Sequence, residues 1–170
     1  MTVMTVKVAF ALAAAVTTGL LAGLFYAYCY SVMRALAGAD DRTFVDVMQR
    51  INVAIVNPWF LVCFLGSLGF TAAAAVAHLR GDRTMLAWVA AALVLNLAGF
   101  AVTVAGNVPL NNRLAAVDLD HTADLVAVRA QFETAWVRWN VVRTVLHTAA
   151  FVALGWVLVL EQGTSQAASS

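Results

Sequence analysis

Four side chains that could do chemistry lie on one stripe near the end of the chain. Trp136, Asn140, Arg143 and His147 follow one another at steps of four, three and four residues, so they share one face of an α-helix. The range Thr144–Leu160 contains no Asp, Glu, Lys or Arg, which indicates that this helix enters a lipid bilayer. Arg143 then lies at the membrane boundary and His147 about 6 Å deeper. Ionisable groups at that depth usually face a bundle interior or a wet cavity, so the stripe predicts a polar site inside the protein.

Amides and aromatic side chains from other parts of the chain are predicted to surround this stripe. A fixed cation among amides and phenols, at the mouth of an apolar cavity, would bind a flat phenolic or anionic molecule that arrives from the membrane. An equally open interpretation is a network that only seals and orients the helix ends. The predicted binding residues are Tyr26, Tyr30, Asn52, Asn57, Asn107, Asn111, Asn112, Trp136 and Trp139.

The potential metal ligands do not follow the spacing of a known metal site. His78, His121 and His147 are predicted in a solvated turn, a loop and a membrane span, so they cannot easily converge. The spans contain no carboxylate and no cysteine pair, and no phosphate-binding or dinucleotide-binding glycine motif is present. We therefore predict no cofactor. A haem with His147 as its single axial ligand is the alternative left open.

The composition is that of an integral membrane protein. Hydrophobic residues make up 63% of the chain and charged residues 11%, with a mean hydropathy of +0.86. A net charge of +1 offers no basic face for nucleic acid. We predict one membrane domain over residues 1–160 and a disordered polar tail over 161–170. Its four spans are expected at about residues 8–33, 58–77, 85–106 and 141–160.

These spans predict an all-α, up-down four-helix bundle with both long loops on one membrane face. Each long loop shows the period of an amphipathic helix, the first after Asp40 or Asp41 as N-cap. Val108-Pro109 is predicted to end the third span. Lysine and arginine counts favour the long loops on the cytoplasmic side of the cell (inner) membrane.

Four segments of the chain resemble a known protein family. The segments are GLLAGLFY at Gly19–Tyr26, MQRINVAIVNP at Met48–Pro58, NVPLNN at Asn107–Asn112 and WVRWNVVRT at Trp136–Thr144. With these segments the chain is similar over nearly its whole length to the anthrone oxygenase-like family of small four-span membrane proteins. The resemblance implies that an anthrone-type polycyclic phenol is oxidised to an anthraquinone by O₂, with no established cofactor. A shared fold does not by itself guarantee that activity.

Weighed against that chemistry, the catalytic candidates are Arg143, His147 and Asn140. Arg143 suits the stabilisation of an enolate, because a cation acts far more strongly at low dielectric than in water. Asn140 could donate to the substrate oxygens, and His147 is the candidate base in the spans. No buried carboxylate is predicted to orient His147, which leaves proton transfer open.

The alternative function is a membrane module that binds a quinone, a lipid or a partner protein at the same residues without turnover. Both functions predict the bilayer and a small aromatic or quinone-like molecule as partners. Gly19 and Gly23 form a G-x-x-x-G pair, which lets another helix approach closely. The partner helix could belong to the same chain or to a second copy.

Overall fold

The computed structural model describes the backbone of residues 3–167 and the side chains of residues 6–163. All regular structure in this part of the chain is helical, which confirms the all-α prediction. The helices are α1 Val3–Ala27, α2 Met33–Ala37, α3 Asp41–Ala54, α4 Pro58–His78, α5 Arg83–Val102, α6 Val108–Ala115 and α7 Leu125–Ala167.

Four helical segments are long and apolar enough to cross a membrane. α1 packs against α4 and α7, and α5 also packs against α4 and α7, so the spans close into a four-helix bundle. Gly19 allows α1 and α7 to pack closely within this bundle, because a methyl group built on it would lie 2.9 Å from the Phe151 ring. A methyl group on Gly23 would meet nothing within 4 Å. The four segments are Val6–Ala37, Pro58–His78, Arg83–Ala115 and Leu125–Gly163.

Two π-helical turns interrupt the first and third spans near the long loops. They cover Tyr28–Val32 and Thr103–Asn107 and continue directly into α2 and α6. The prediction that Val108-Pro109 ends the third span was therefore wrong. Pro109 lies in the first turn of α6, where its missing N–H costs least, and the π turn before it adjusts the hydrogen bonding.

The last helix continues past Leu160, where the sequence predicted the fourth span to end. α7 joins the second amphipathic segment to the fourth span as one helix of 43 residues. The tail predicted to be disordered from residue 161 is helical as far as Ala167, while residues 168–170 lie outside the described part. Because the helix continues past Leu160, Glu161 is carried into the bundle, where it is buried.

The loop-side end of the bundle is closed by α3. Asp40 is its N-cap and accepts from the Thr43 backbone N–H at 2.9 Å, which together with the Thr43 hydroxyl holds the pKa of Asp40 below its usual value. Arg129 on α7 donates to the carbonyl oxygens of Leu36 and Ala37, so it fixes the chain that leads into α3. α3 is thereby held across α6 and α7. The apolar cluster beneath contains Met33, Leu36, Phe44, Val45, Met48, Leu114, Phe132 and Trp136.

The opposite end of the bundle contains a buried histidine–carboxyl contact. His78 was predicted to be solvated, but it is 0% exposed. Its Nδ1 lies 2.7 Å from the carbonyl oxygen of Ala74 and its Nε2 lies 2.8 Å from Oε1 of Glu161. His78 is buried because α7 continues past Leu160 and brings Glu161 to the end of α4.

Candidate functional site

Arg143 is buried inside the bundle near the loop-side end, and its side chain is only 6% exposed. Its Nη2 donates to Oδ1 of Asn140 at 2.8 Å. The guanidinium carbon lies 4.2 Å from the centre of the Phe25 ring and 5.5 Å from that of Trp136. Among the described residues, no carboxylate forms an ion pair with Arg143. The cation is therefore held by aromatic faces and one amide.

Asn140 is fixed in the orientation that Arg143 needs. Its Nδ2 donates to the Phe25 carbonyl oxygen at 2.9 Å and to Sγ of Cys29 at 3.1 Å. Because the amide nitrogen faces α1, the amide oxygen faces the guanidinium. In this arrangement the Asn140 amide positions Arg143, and its contact with a substrate oxygen stays a prediction.

A cavity of about 110 Å³ opens beside the guanidinium. The end of α3 covers it, and the second π turn, α6 and α7 form its walls. Ligand pockets usually measure roughly 300 Å³ or more, so a flat tricyclic guest requires the lining side chains to move outward. The polar residues in its wall are Tyr28, Asn52, Thr103, Asn107, Asn111 and Arg143, and the apolar wall includes Phe25 and Trp136.

Three buried polar atoms in this wall have no hydrogen-bond partner among the residues that the structure describes. They are Nδ2 of Asn52, Oδ1 of Asn107 and Nε of Arg143. Leaving such an atom unpaired costs about 1–3 kcal/mol, so most buried polar atoms are paired. Nδ2 of Asn107 donates to the Trp136 carbonyl oxygen at 3.3 Å, which leaves its amide oxygen turned away. The wall thus offers two donors and one acceptor to a guest.

His147 lies one turn deeper and is not part of the cavity wall. Its Nδ1 lies 3.0 Å from Oδ1 of Asn96, and its ring centre lies 5.4 Å from that of Phe25, which does line the cavity. Nε2 has no partner and faces α5, where a methyl group on Gly99 would lie 2.6 Å from it. An iron and a porphyrin would need the space that α5 occupies, so this position does not fit haem ligation. Among the side chains described, no three His, Cys, Asp or Glu residues could hold a metal ion together.

Five of the predicted binding residues are not brought to the cavity. Tyr26 on α1 and Tyr30 in the first π turn are 52% and 56% exposed on the outer face of the first span, and Trp139 lies on the outer side of Gly106. Asn112 is exposed. Asn57 is the N-cap of α4, since its Oδ1 accepts from the Phe60 backbone N–H at 3.0 Å.

The sequence patterns missed Phe25 on α1 and Tyr28 in the first π turn, which both line the cavity. Both follow Leu21 at helical steps of four and three residues, and this buried apolar stripe could have indicated them. Tyr26 and Tyr30, which were predicted to bind the guest, lie on the neighbouring exposed face of the first span. The contact between Asn96 and His147 is a further feature of the site that the sequence patterns did not indicate.

Gly99→Ala is expected to disturb His147 directly. The added methyl group would lie 2.6 Å from Nε2 within a packed interior, and such overpacking costs about 1–3 kcal/mol of unfolding free energy. Thermal unfolding in detergent measures the loss. Gly69→Ala is the matched control, because a methyl group there meets nothing within 4 Å and should only favour the helix. Equal stability of the two variants would contradict the packing of His147 against α5.

The comparison with known proteins identifies the family of this chain. The anthrone oxygenase family matches residues 59–153, a range that contains Asn96, Asn107, Asn140, Arg143 and His147. No curated protein and no solved structure matches the chain. The match covers more than half of the sequence and confirms the resemblance, so the chain belongs to the anthrone oxygenase family.

Proposed function

We propose that this protein oxidises a flat, phenolic, anthrone-like molecule with O₂ inside the membrane, in the cavity beside Arg143. The observation that carries the proposal is the buried guanidinium without a carboxylate partner among the described residues. A buried charge without a counter-charge is costly, and an anionic guest would supply that counter-charge. The family match supports the same class of substrate.

The chemistry requires an acidic carbon and a stabilised enolate. The CH₂ group of an anthrone lies between two aromatic rings and opposite a carbonyl, so loss of one proton gives an enolate spread over the ring system. Nε of Arg143 and Nδ2 of Asn52 are the unpaired donors that could receive the enolate oxygen. A fixed donor pair at low dielectric stabilises this charge far more than water does.

The oxidation balances with O₂ as the only other reactant. The carbanion carbon forms a bond to O₂, and the resulting peroxide takes up a proton. It then loses water, so that CH₂ becomes C=O and the second oxygen atom leaves with both hydrogens. His147 is the candidate acceptor of the first proton and could return it to the peroxide. Because the Phe25 ring lines the cavity and contacts His147, it must turn aside for this transfer.

The proposal is tested with the full chain in lipid nanodiscs and 1,8-dihydroxyanthrone as the probe. Oxygen consumption and the quinone absorbance are followed together, with empty nanodiscs as the control for spontaneous oxidation. We expect one O₂ consumed for each quinone formed, at a rate well above that of the empty nanodiscs. A rate equal to that control would refute the proposed oxidation.

A second candidate is a module that binds a quinone or a similar ring at the same residues without turnover. The cavity volume of about 110 Å³ favours it for a single-ring quinone, because a tricyclic molecule needs more space. Saturable binding of a single-ring quinone, measured by quenching of tryptophan fluorescence, together with no oxygen consumption on addition of the anthrone, would support this candidate over the oxygenase.

A further inference from the structure

A buried network of hydrogen bonds joins all four spans below the cavity. Nδ2 of Asn96 on α5 donates to Oγ1 of Thr18 on α1 at 3.1 Å and to Oγ1 of Thr71 on α4 at 3.2 Å. It also lies 3.4 Å from the carbonyl oxygen of Ser67. On its other side, Oδ1 of Asn96 lies 3.0 Å from Nδ1 of His147 on α7. All five residues are buried, so water does not compete for these bonds.

The direction of each bond in this network follows from the atoms available. The Thr71 hydroxyl donates to the carbonyl oxygen of Ser67 at 2.5 Å, so toward Asn96 its Oγ1 can only accept. The Ser67 carbonyl oxygen also can only accept. The atom of Asn96 that faces both must therefore be the NH₂ group, and the amide oxygen must face His147.

This orientation determines where the proton of His147 resides. An amide oxygen only accepts, so Nδ1 of His147 must carry a hydrogen. In a neutral imidazole the other nitrogen is then a bare lone pair. Nε2 is that nitrogen, and it is one of the buried atoms without a partner. Nε2 occupies space that is free only because Gly99 has no side chain.

We propose that Asn96 is a positioning residue that holds His147 as the Nδ1–H tautomer and leaves Nε2 as the nitrogen that can accept a proton. The inference rests on the proposed function, in which the proton leaves the substrate carbon for Nε2 while the electron pair stays on that carbon. Because Nε2 faces α5 at Gly99, α5 must move aside there for this transfer, as the Phe25 ring must. A carboxylate often orients a catalytic histidine, but it would bury a negative charge within the spans. A neutral amide fixes the same tautomer without that charge.

The tautomer can be measured without any substrate. The full chain, with ¹⁵N-labelled histidine, is studied by NMR in nanodiscs near neutral pH, and His147→Gln identifies the signals of His147. We expect a protonated Nδ1 and a bare Nε2 in the parent protein. Asn96→Leu keeps a side chain of similar size but removes the acceptor, so it should shift His147 toward the Nε2–H tautomer or a mixture. An unchanged spectrum would overturn the inference.

A second pair of variants tests the network with smaller changes. Thr71→Val removes the shorter of the two contacts that can only accept from Asn96 and leaves the Ser67 carbonyl oxygen at 3.4 Å. The amide is then held less firmly, so the His147 tautomers should mix in part, less than in Asn96→Leu. Thr71→Ser keeps the hydroxyl and should restore the parent spectrum. Thr17→Val is the matched control, because the Thr17 hydroxyl bonds only to the backbone of its own helix at Ala13 and Ala14. Loss of the tautomer in Thr17→Val as well would overturn a specific role for the network.

The same variants link the tautomer to turnover. Asn96→Leu is expected to lower kcat for anthrone oxidation about 10²-fold with little change in KM, because an acid–base contribution is lost and substrate binding is not. A changed tautomer with unchanged kcat would overturn the positioning role. If the parent protein shows the expected tautomer but oxidises no anthrone, the proposed function fails while the structural assignment of Asn96 stands.

Discussion

Replacing Arg143 by methionine is expected to remove most of the anthrone oxidation without unfolding the protein. The enolate would lose its cation in a low-dielectric site, which should lower kcat/KM about 10³-fold. The protein would also lose a buried charge that has no carboxylate partner among the described residues, so its free energy of unfolding should stay equal or rise. Oxygen uptake and thermal unfolding of the same sample measure both effects.

The test is specific because Arg143→Met is expected to lose activity without losing stability. Arg138→Met is the matched control, since Arg138 lies on the same helix but is exposed and does not line the cavity. It should change neither the oxidation rate nor the stability appreciably. An Arg143→Met protein that is fully active would contradict the enolate site, and an unfolded one would show that Arg143 serves the fold instead.

Replacing His78 by leucine should have the largest effect on stability. Nδ1 of His78 must carry a hydrogen, because it faces the carbonyl oxygen of Ala74, and a proton must also lie between Nε2 and the carboxyl group of Glu161. Removing one partner of such a buried hydrogen bond costs about 3 kcal/mol. Unfolding of the variant in detergent should therefore occur at clearly lower temperature.

The activity of the remaining folded His78→Leu protein should be unchanged, because His78 ends α4 at the side of the bundle opposite the cavity. His121→Leu is the control for loss of a histidine, since His121 pairs with Asp118 in an exposed loop and contributes little there. Equal stability of the two variants would contradict the importance of the buried contact. A loss of activity per folded molecule would show that the two ends of the bundle are coupled.

Local periodicity was sufficient to predict the spans and the central stripe. Trp136, Asn140, Arg143 and His147 are all buried, as their helical spacing indicated, because steps of three and four residues fix a face of a helix regardless of the rest of the fold. Apolar length similarly located the four spans. The N-cap of α3 at Asp40 was also recognisable from residue type and position.

The sequence could not show which faces of the remaining helices contact the stripe of polar residues on α7. Tyr26 and Tyr30 carry phenol groups that could bind a polar guest, yet the first span turns them outward. The same span places the Phe25 ring against Arg143 instead. The contact between His78 and Glu161 joins residues 83 positions apart and depends on how far α7 continues. These features arise from packing between helices, for which the sequence of one helix gives no direct signal.

The two π turns have a consequence for how this architecture can change. Each turn holds one residue more than an α-helical path would, so the segment beyond it is rotated by about 100° relative to a regular helix. Tyr28 and Asn107, which line the cavity, lie within these turns. Gain or loss of a single residue in a π turn would therefore change the direction of the side chains that line the cavity, while the packing of the bundle below stays the same. Relatives that accept differently shaped molecules should differ in length at these two points before they differ in the packed spans.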